Sequence, residues 1–194
     1  MGLNPTLWRT CRVLAGPTRL KLLSQILQIP DQGVTRLAEQ VYISESRASQ
    51  ELRRLQSRGL VQAVRCGRWV QYRPVPDPQV ASAKPLLLAM RSVLASATEE
   101  AELETIRIAR AFSHSCRLHL VQVLLSGPSA LNTLQKSIGA SRRATCRHLA
   151  ILEEGAVVCQ ERKIWEMAPN PHPLVMCMIG LVGSKMKESR SPGG

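Results

Sequence analysis

The sequence predicts a mostly α protein with small β-hairpins, in which one unit of helices and a hairpin occurs twice. Three observations carry that expectation. Apolar residues recur at helical spacing through most of the chain. Two short β-rich stretches, one from Leu60 to Tyr72 and one opening at Val157-Val158, break that pattern. The order of elements in the first half also returns about 97 residues later.

In order, Asn4 to Leu14 reads as a short helix, with Leu7, Cys11 and Leu14 on one face and Gly16 as its stop. Pro17 suits the first turn of the next helix, where its missing N–H is not needed. Leu20, Leu23, Ile26 and Leu27 give that helix its core face. Pro30-Asp31-Gln32-Gly33 reads as a turn. Val34, Leu37, Ala38 and Val41 mark a short helix, and the Tyr42-Ile43 connection that follows is tight, as a helix-turn-helix requires. Ser44 stands where an N-cap should, and Ala48, Leu52 and Leu55 follow at i, i+4 and i+7. Gly59 closes this helix, because glycine takes the left-handed conformation cheaply. Leu60 to Val64, a Cys66-Gly67-Arg68 turn and Trp69 to Tyr72 then form a hairpin. Pro74-Val75-Pro76-Asp77-Pro78 breaks structure. Val80 to Ala97 reads as a longer helix, too apolar to stand alone in water. Thr98-Glu99-Glu100 opens another, with carboxylates favourable at its N-terminal end.

The second half repeats this plan. Leu118, Val121, Leu124 and Leu125 stand 98 residues after Leu20, Leu23, Ile26 and Leu27. Leu134 and Ile138 follow Leu37 and Val41 by 97, as Ser141, Leu149 and Leu152 follow Ser44, Leu52 and Leu55. The one-residue change falls in the loop Ser126-Gly127-Pro128-Ser129, where a deletion is tolerated. Two domains are therefore expected, 1–97 and 98–194. They are not equivalent. Ala156 stands where Gly59 closes the first copy's helix, with Gly155 one place early. The second hairpin is shorter, with Arg162 and Lys163 at its tip.

Charge narrows the partner. The 26 Lys and Arg against 14 Asp and Glu leave a net +12, which favours nucleic acid or an anionic surface. Aromatic residues are only 3%, against the stacking platforms of single-strand binders. No secretory signal opens the chain, and the longest apolar run, Leu174 to Val182, is too short for a bilayer, so a cytoplasmic protein without a membrane partner is expected. The six cysteines include no C-x-x-C pair and are expected as free thiols. No nucleophile elbow, phosphate loop or carboxylate pair is present, so neither an enzyme nor a cofactor is expected.

Both capped helices present a polar face suited to a major groove. In the first, Ser46, Ser49 and Gln50 are candidates for base edges, beside Arg47. In the second they are Arg142, Arg143, Cys146 and Arg147, beside His148. Arg53, Arg54, Arg65, Arg68, Arg162 and Lys163 are candidates for phosphates. Gly16-Pro17-Thr18-Arg19-Leu20, Ser44 through Leu55, Gly59-Leu60-Val61 and Gly67-Arg68-Trp69-Val70-Gln71-Tyr72-Arg73 occur in one order. Together these pieces resemble the winged helix-turn-helix of the ArsR/SmtB family of bacterial repressors.

The resemblance implies two tandem winged helix-turn-helix domains, double-stranded DNA as partner, and transcriptional regulation, most simply repression. Family members are usually homodimers, so a chain holding both halves implies an intramolecular pseudo-dimer, with further homodimerisation open to it. A winged helix used only for protein contacts is the alternative. Many members also sense metals. Here Val34 to Gln40 holds no thiolate or His, Gln79 to Ser96 no acid or His, and Leu174 to Met186 only Cys177. No metal is expected. The best remaining donors are His114, Cys116 and His119, a soft N/S set at a helix start.

Overall fold

The computed structural model describes residues 7–96, 98–169 and 171–188. Within them lie ten helices and two three-stranded antiparallel sheets. No helix among the described residues is long and apolar enough to cross a membrane. Residues 4–6 of the expected first helix lie outside the described residues.

The chain divides into two compact units. One holds Val13–Ile106; the other holds Leu7–Arg12 and the chain from Arg107 onward. The units therefore do not break at 97/98, where the sequence repeat does. Helix α1 (Leu7–Leu14) opens the first copy by sequence but gives Leu7–Arg12 to the second unit. Periodicity marks which residues of a helix are apolar, and a covalent neighbour need not be the surface that covers them.

The first unit runs through α2 (Pro17–Gln28), β1 (Gln32–Gly33), α3 (Val34–Val41), α4 (Glu45–Gln56), β2 (Gln62–Cys66), β3 (Trp69–Arg73) and α5 (Ala83–Val93). Leu20, Leu23, Ile26, Leu37, Leu52 and Leu55 are fully buried, so the helical-spacing residues make the core. Pro17 takes the first turn of α2. Ser44 caps α4 by accepting from the Arg47 backbone N–H at 3.3 Å. Gly59 sits at φ +69°, and the Leu60 N–H reaches back to the Leu55 carbonyl at 3.2 Å. This is the left-handed helix end that the glycine signalled.

Two details differ from the sequence expectation. Gln32-Gly33 is a strand within the expected turn, pairing with Tyr72 and Gln71 so that β3 is central. Two residues give no periodicity, and only the partner strand makes them β. Helix α5 starts at Ala83 rather than Val80, because Asp77 draws the chain into turns first. Its carboxylate accepts from the Gln79 N–H at 2.9 Å, and its carbonyl accepts from the Val80 N–H at 3.0 Å. The helix also ends at Val93, short of Ala97.

After α6 (Glu99–Ala111), the second unit repeats the order with α7 (Ser115–Leu125), β4 (Ser129–Ala130), α8 (Leu131–Ile138), α9 (Arg142–Glu154), β5 (Val158–Glu161), β6 (Ile164–Met167) and α10 (Pro173–Glu188). Ser141 caps α9 through the Ala144 N–H at 3.2 Å. The sheet order is β4-β6-β5, the counterpart of β1-β3-β2. Within this unit the α1 thiol of Cys11 lies 3.9 Å from the Met178 sulfur of α10. Phe112, the only phenylalanine, is fully buried.

The close of α9 separates two jobs that Gly59 does alone. Ala156 takes the left-handed position at φ +50°, with the Val157 N–H bonded to the Leu152 carbonyl at 3.0 Å. Gly155 has an ordinary φ of −85° but leaves no room, since a Cβ there would stand 2.7 Å from the Ala111 Cβ. Ala156→Gly is therefore expected to stabilise the second unit by about 1 kcal/mol. Gly155→Ala is expected to destabilise it by roughly 1–3 kcal/mol through overpacking. Thermal melts of the two variants should move in opposite directions; a common direction would contradict this division of roles.

Candidate nucleic-acid interface

Packing sets which face of α4 is free. The helix lies on α2 and α3 through buried Ala48, Leu52 and Leu55. A 3.6-residue period then turns Ser46, Arg47, Gln50, Arg53 and Arg54 outward, all exposed, with Ser49 half-buried. On the hairpin, Arg65 and Arg68 are exposed. Gly67, at φ +61°, is the only left-handed residue of the Gly67-Arg68 turn. Cys66 belongs to the ladder opposite Trp69 rather than to the turn.

The cations are not equally free. Arg54 is held by Glu51 at 2.9 Å, and Arg73 is paired with Asp31. Arg47 reaches the Thr18 hydroxyl at 3.4 Å. Arg53, Arg65 and Arg68 form no ion pair among the described residues. Arg68 lies over the Trp69 ring, 5.1 Å from its centroid, which orients its guanidinium at the hairpin tip.

In the second unit Thr145, Leu149 and Leu152 are buried, and Arg142, Arg143, Cys146 and Arg147 are exposed. Ser141, Arg143, Ala144, Arg147 and His148 line a shallow concavity at the start of α9. Backbone N–H groups and cations there favour an anion. Arg162 and Lys163 form the hairpin tip and are both exposed. Both are left-handed, at φ +47° and +69°, in a two-residue turn that usually takes Asn-Gly.

His148 departs from the expected outward face. It is half-buried, its ring centroid 4.7 Å from that of His114 and its Nδ1 3.5 Å from the Arg117 guanidinium. The reason is visible in the first unit. There Arg19 donates from Nε to the Val13 carbonyl at 2.6 Å and pairs with Glu51 at 2.8 Å. Arg117 repeats the first contact, to the Ala111 carbonyl at 2.8 Å. His148 stands where Glu51 does, so the second arginine has an imidazole in place of a carboxylate. Its other N–H groups go to the Arg110 carbonyl at 2.8 Å and the Ser113 hydroxyl at 3.0 Å.

Electrostatics follow these partners. Burial alone would raise the Glu51 carboxyl, but the hydrogen bond and charge of Arg19, then Arg54, hold it below the usual carboxylate value. Burial pushes the imidazoles of His114 and His148 down. Arg117 and Arg12 add to this at His114, and His114, Arg117 and Arg147 at His148. The folded state therefore keeps them neutral, while the unfolded chain takes up protons near the ordinary value of about 6.5. Their contribution is fully present above that value and is lost as pH falls toward the lowered folded values. The melting temperature is expected to drop more between pH 7.5 and 5.5 in the parent than in His148→Gln. An equal drop in both would count against this pair.

Of the three candidate donors His114, Cys116 and His119, the first two come together, but His119 does not join them. His148 does: the ligand atoms of His114, Cys116 and His148 all lie within 4.8 Å of one another. Among the described residues all six cysteines are free.

Two exposed aromatics were not among the expected site residues. Tyr42 is 94% exposed in the turn before α4 and is left-handed at φ +57°. Gly139 takes the same conformation 97 residues later, and that register was the available signal. Trp69, 63% exposed at the hairpin tip, breaks the rule that large apolar residues lie inside. No protein-family model matches the chain, and comparison with curated proteins gives no match.

Proposed function

We propose that the chain is a double-stranded DNA-binding transcriptional regulator, most simply a repressor, built of two winged helix-turn-helix units acting as a single-chain pseudo-dimer in the cytoplasm. One observation carries this reading. In each unit a capped helix presents exposed polar and cationic residues, and the following hairpin carries exposed cations at its tip. That combination suits base edges met from the helix and phosphates met from both elements. Free thiols throughout the described residues fit a reducing compartment.

The two helices offer different chemistry: Ser46, Ser49 and Gln50 in one, Arg142, Arg143 and Arg147 in the other. Arginine favours guanine and glutamine adenine, so the half-sites should differ. One chain is expected to protect an asymmetric site whose halves lie about one helical turn apart. Arg147→Ala is expected to weaken binding by about 1–3 kcal/mol and to relax specificity in one half only. Footprinting with a mass measurement of the complex checks it, and a short perfect palindrome bound by one chain would overturn the pseudo-dimer reading. The second reading, a protein-contact module, is favoured by the exposed Trp69 and Val70 on the first hairpin. It predicts no footprint on duplex DNA.

A further inference from the structure

We propose that the second unit binds one soft, monovalent d10 metal cation, of which Cu(I) is the representative, through His114, Cys116 and His148. The inference rests on the geometry of that unit and is independent of the DNA reading. Three donors of metal-ligating type converge, with ligand atoms no more than 4.8 Å apart. They come from two elements: His114 and Cys116 from the start of α7, and His148 from α9. His114 is exposed and the other two are partly exposed, so an ion can enter.

The internal repeat supplies a control within the same chain. At the same register the first unit has Gly16, Thr18 and Glu51, 98, 98 and 97 residues earlier. There Glu51 ties α4 to α2 through Arg19 at 2.8 Å. The second unit lacks that carboxylate and has a donor at all three positions instead. A bound ion would restore the tie between α7 and α9 that the Arg–Glu pair provides between α2 and α4.

Donor type and charge select the ion. Two imidazoles and a thiolate are soft to borderline ligands, which exclude magnesium and calcium. The Arg117 guanidinium lies 3.5 Å from the His148 ring, and Arg12 and Arg147 also act on the two imidazoles, so the site already faces positive charge. A monovalent ion with the Cys116 thiolate adds no net charge. A divalent ion would add a net positive charge beside these guanidiniums, and Zn(II) would need a water to complete its four ligands.

The test uses the full chain, anaerobically, competing for Cu(I) against a chromophoric Cu(I) chelator. Cys66→Ser and Cys146→Ser are introduced first, to remove the two exposed thiols elsewhere. One equivalent of Cu(I) should transfer, with one sulfur and two nitrogen ligands by X-ray absorption, and should raise the melting temperature. Cys116→Ser and His148→Ala should each weaken uptake by more than about tenfold, whereas His119→Ala should not. His148→Glu, which gives Arg117 a carboxylate, should fold at least as well without metal and still lose uptake. Absence of uptake, unchanged uptake in Cys116→Ser, or tighter Zn(II) than Cu(I) binding would each overturn the proposal.

Discussion

Raising monovalent salt from about 50 to about 200 mM is expected to weaken duplex binding by a factor on the order of several hundred. The expectation comes from counting the exposed candidate phosphate contacts that no carboxylate neutralises. Arg53, Arg65, Arg68, Arg162 and Lys163 qualify, while Arg54 is excluded because Glu51 already holds it at 2.9 Å. Five contacts imply a log–log slope of roughly −4.5. Arg68→Ala should make the slope shallower by about 1 and weaken all sequences alike, because it meets phosphate rather than a base. Fluorescence titration of a labelled duplex over a salt series measures both. A slope near zero would sink the DNA reading and leave the protein-contact reading standing.

The second large effect concerns folding. Glu51→Ala is expected to destabilise the first unit by about 3 kcal/mol. The Glu51 and Arg19 side chains are only 11% and 19% exposed, so removing the acid leaves a guanidinium largely desolvated without its counter-charge. The matching change in the second unit, His148→Ala, should cost much less. Arg117 already donates to the Ala111 and Arg110 carbonyls and the Ser113 hydroxyl, and never had an acid at this position to lose. Urea unfolding followed by circular dichroism distinguishes the two. A Glu51→Ala chain as stable as the parent would show that burial of the pair cancels its attraction. Because Glu51 is held below its usual value, its contribution is full above about pH 4.5 and lost as pH falls through the lowered folded value.

Much of this arrangement was legible in the sequence, and particular residues show where legibility ends. Helical spacing found the helices because burial of Leu20, Leu37 and Leu52 requires it. The caps at Ser44, Gly59 and Ser141 were legible because each rests on a local backbone requirement. The outward sets on α4 and α9 follow from the same spacing. What escaped depends on partners distant in sequence. Gln32-Gly33 and Ser129-Ala130 become strands only through β3 and β6. His148 lies against Arg117, 31 residues earlier, and joins two of the three candidate metal donors, which no local pattern showed. The membership of Leu7–Arg12 in the second unit has no local signal at all.

That last feature bears on how the chain is made. Cys11 and Met178, neighbours in the second unit, are 167 residues apart in sequence. At ribosomal speeds of about 5–20 residues per second, the first helix waits on the order of 10–30 s for the last one to be synthesised. During that interval Cys11, fully buried in the finished protein, lacks its Met178 neighbour. Helices α2 to α4 close over short separations and can form early, whereas seating α1 requires a loop spanning most of the chain. The second unit is thus the later of the two to mature, and α1 stays open to chaperones and proteases until it does.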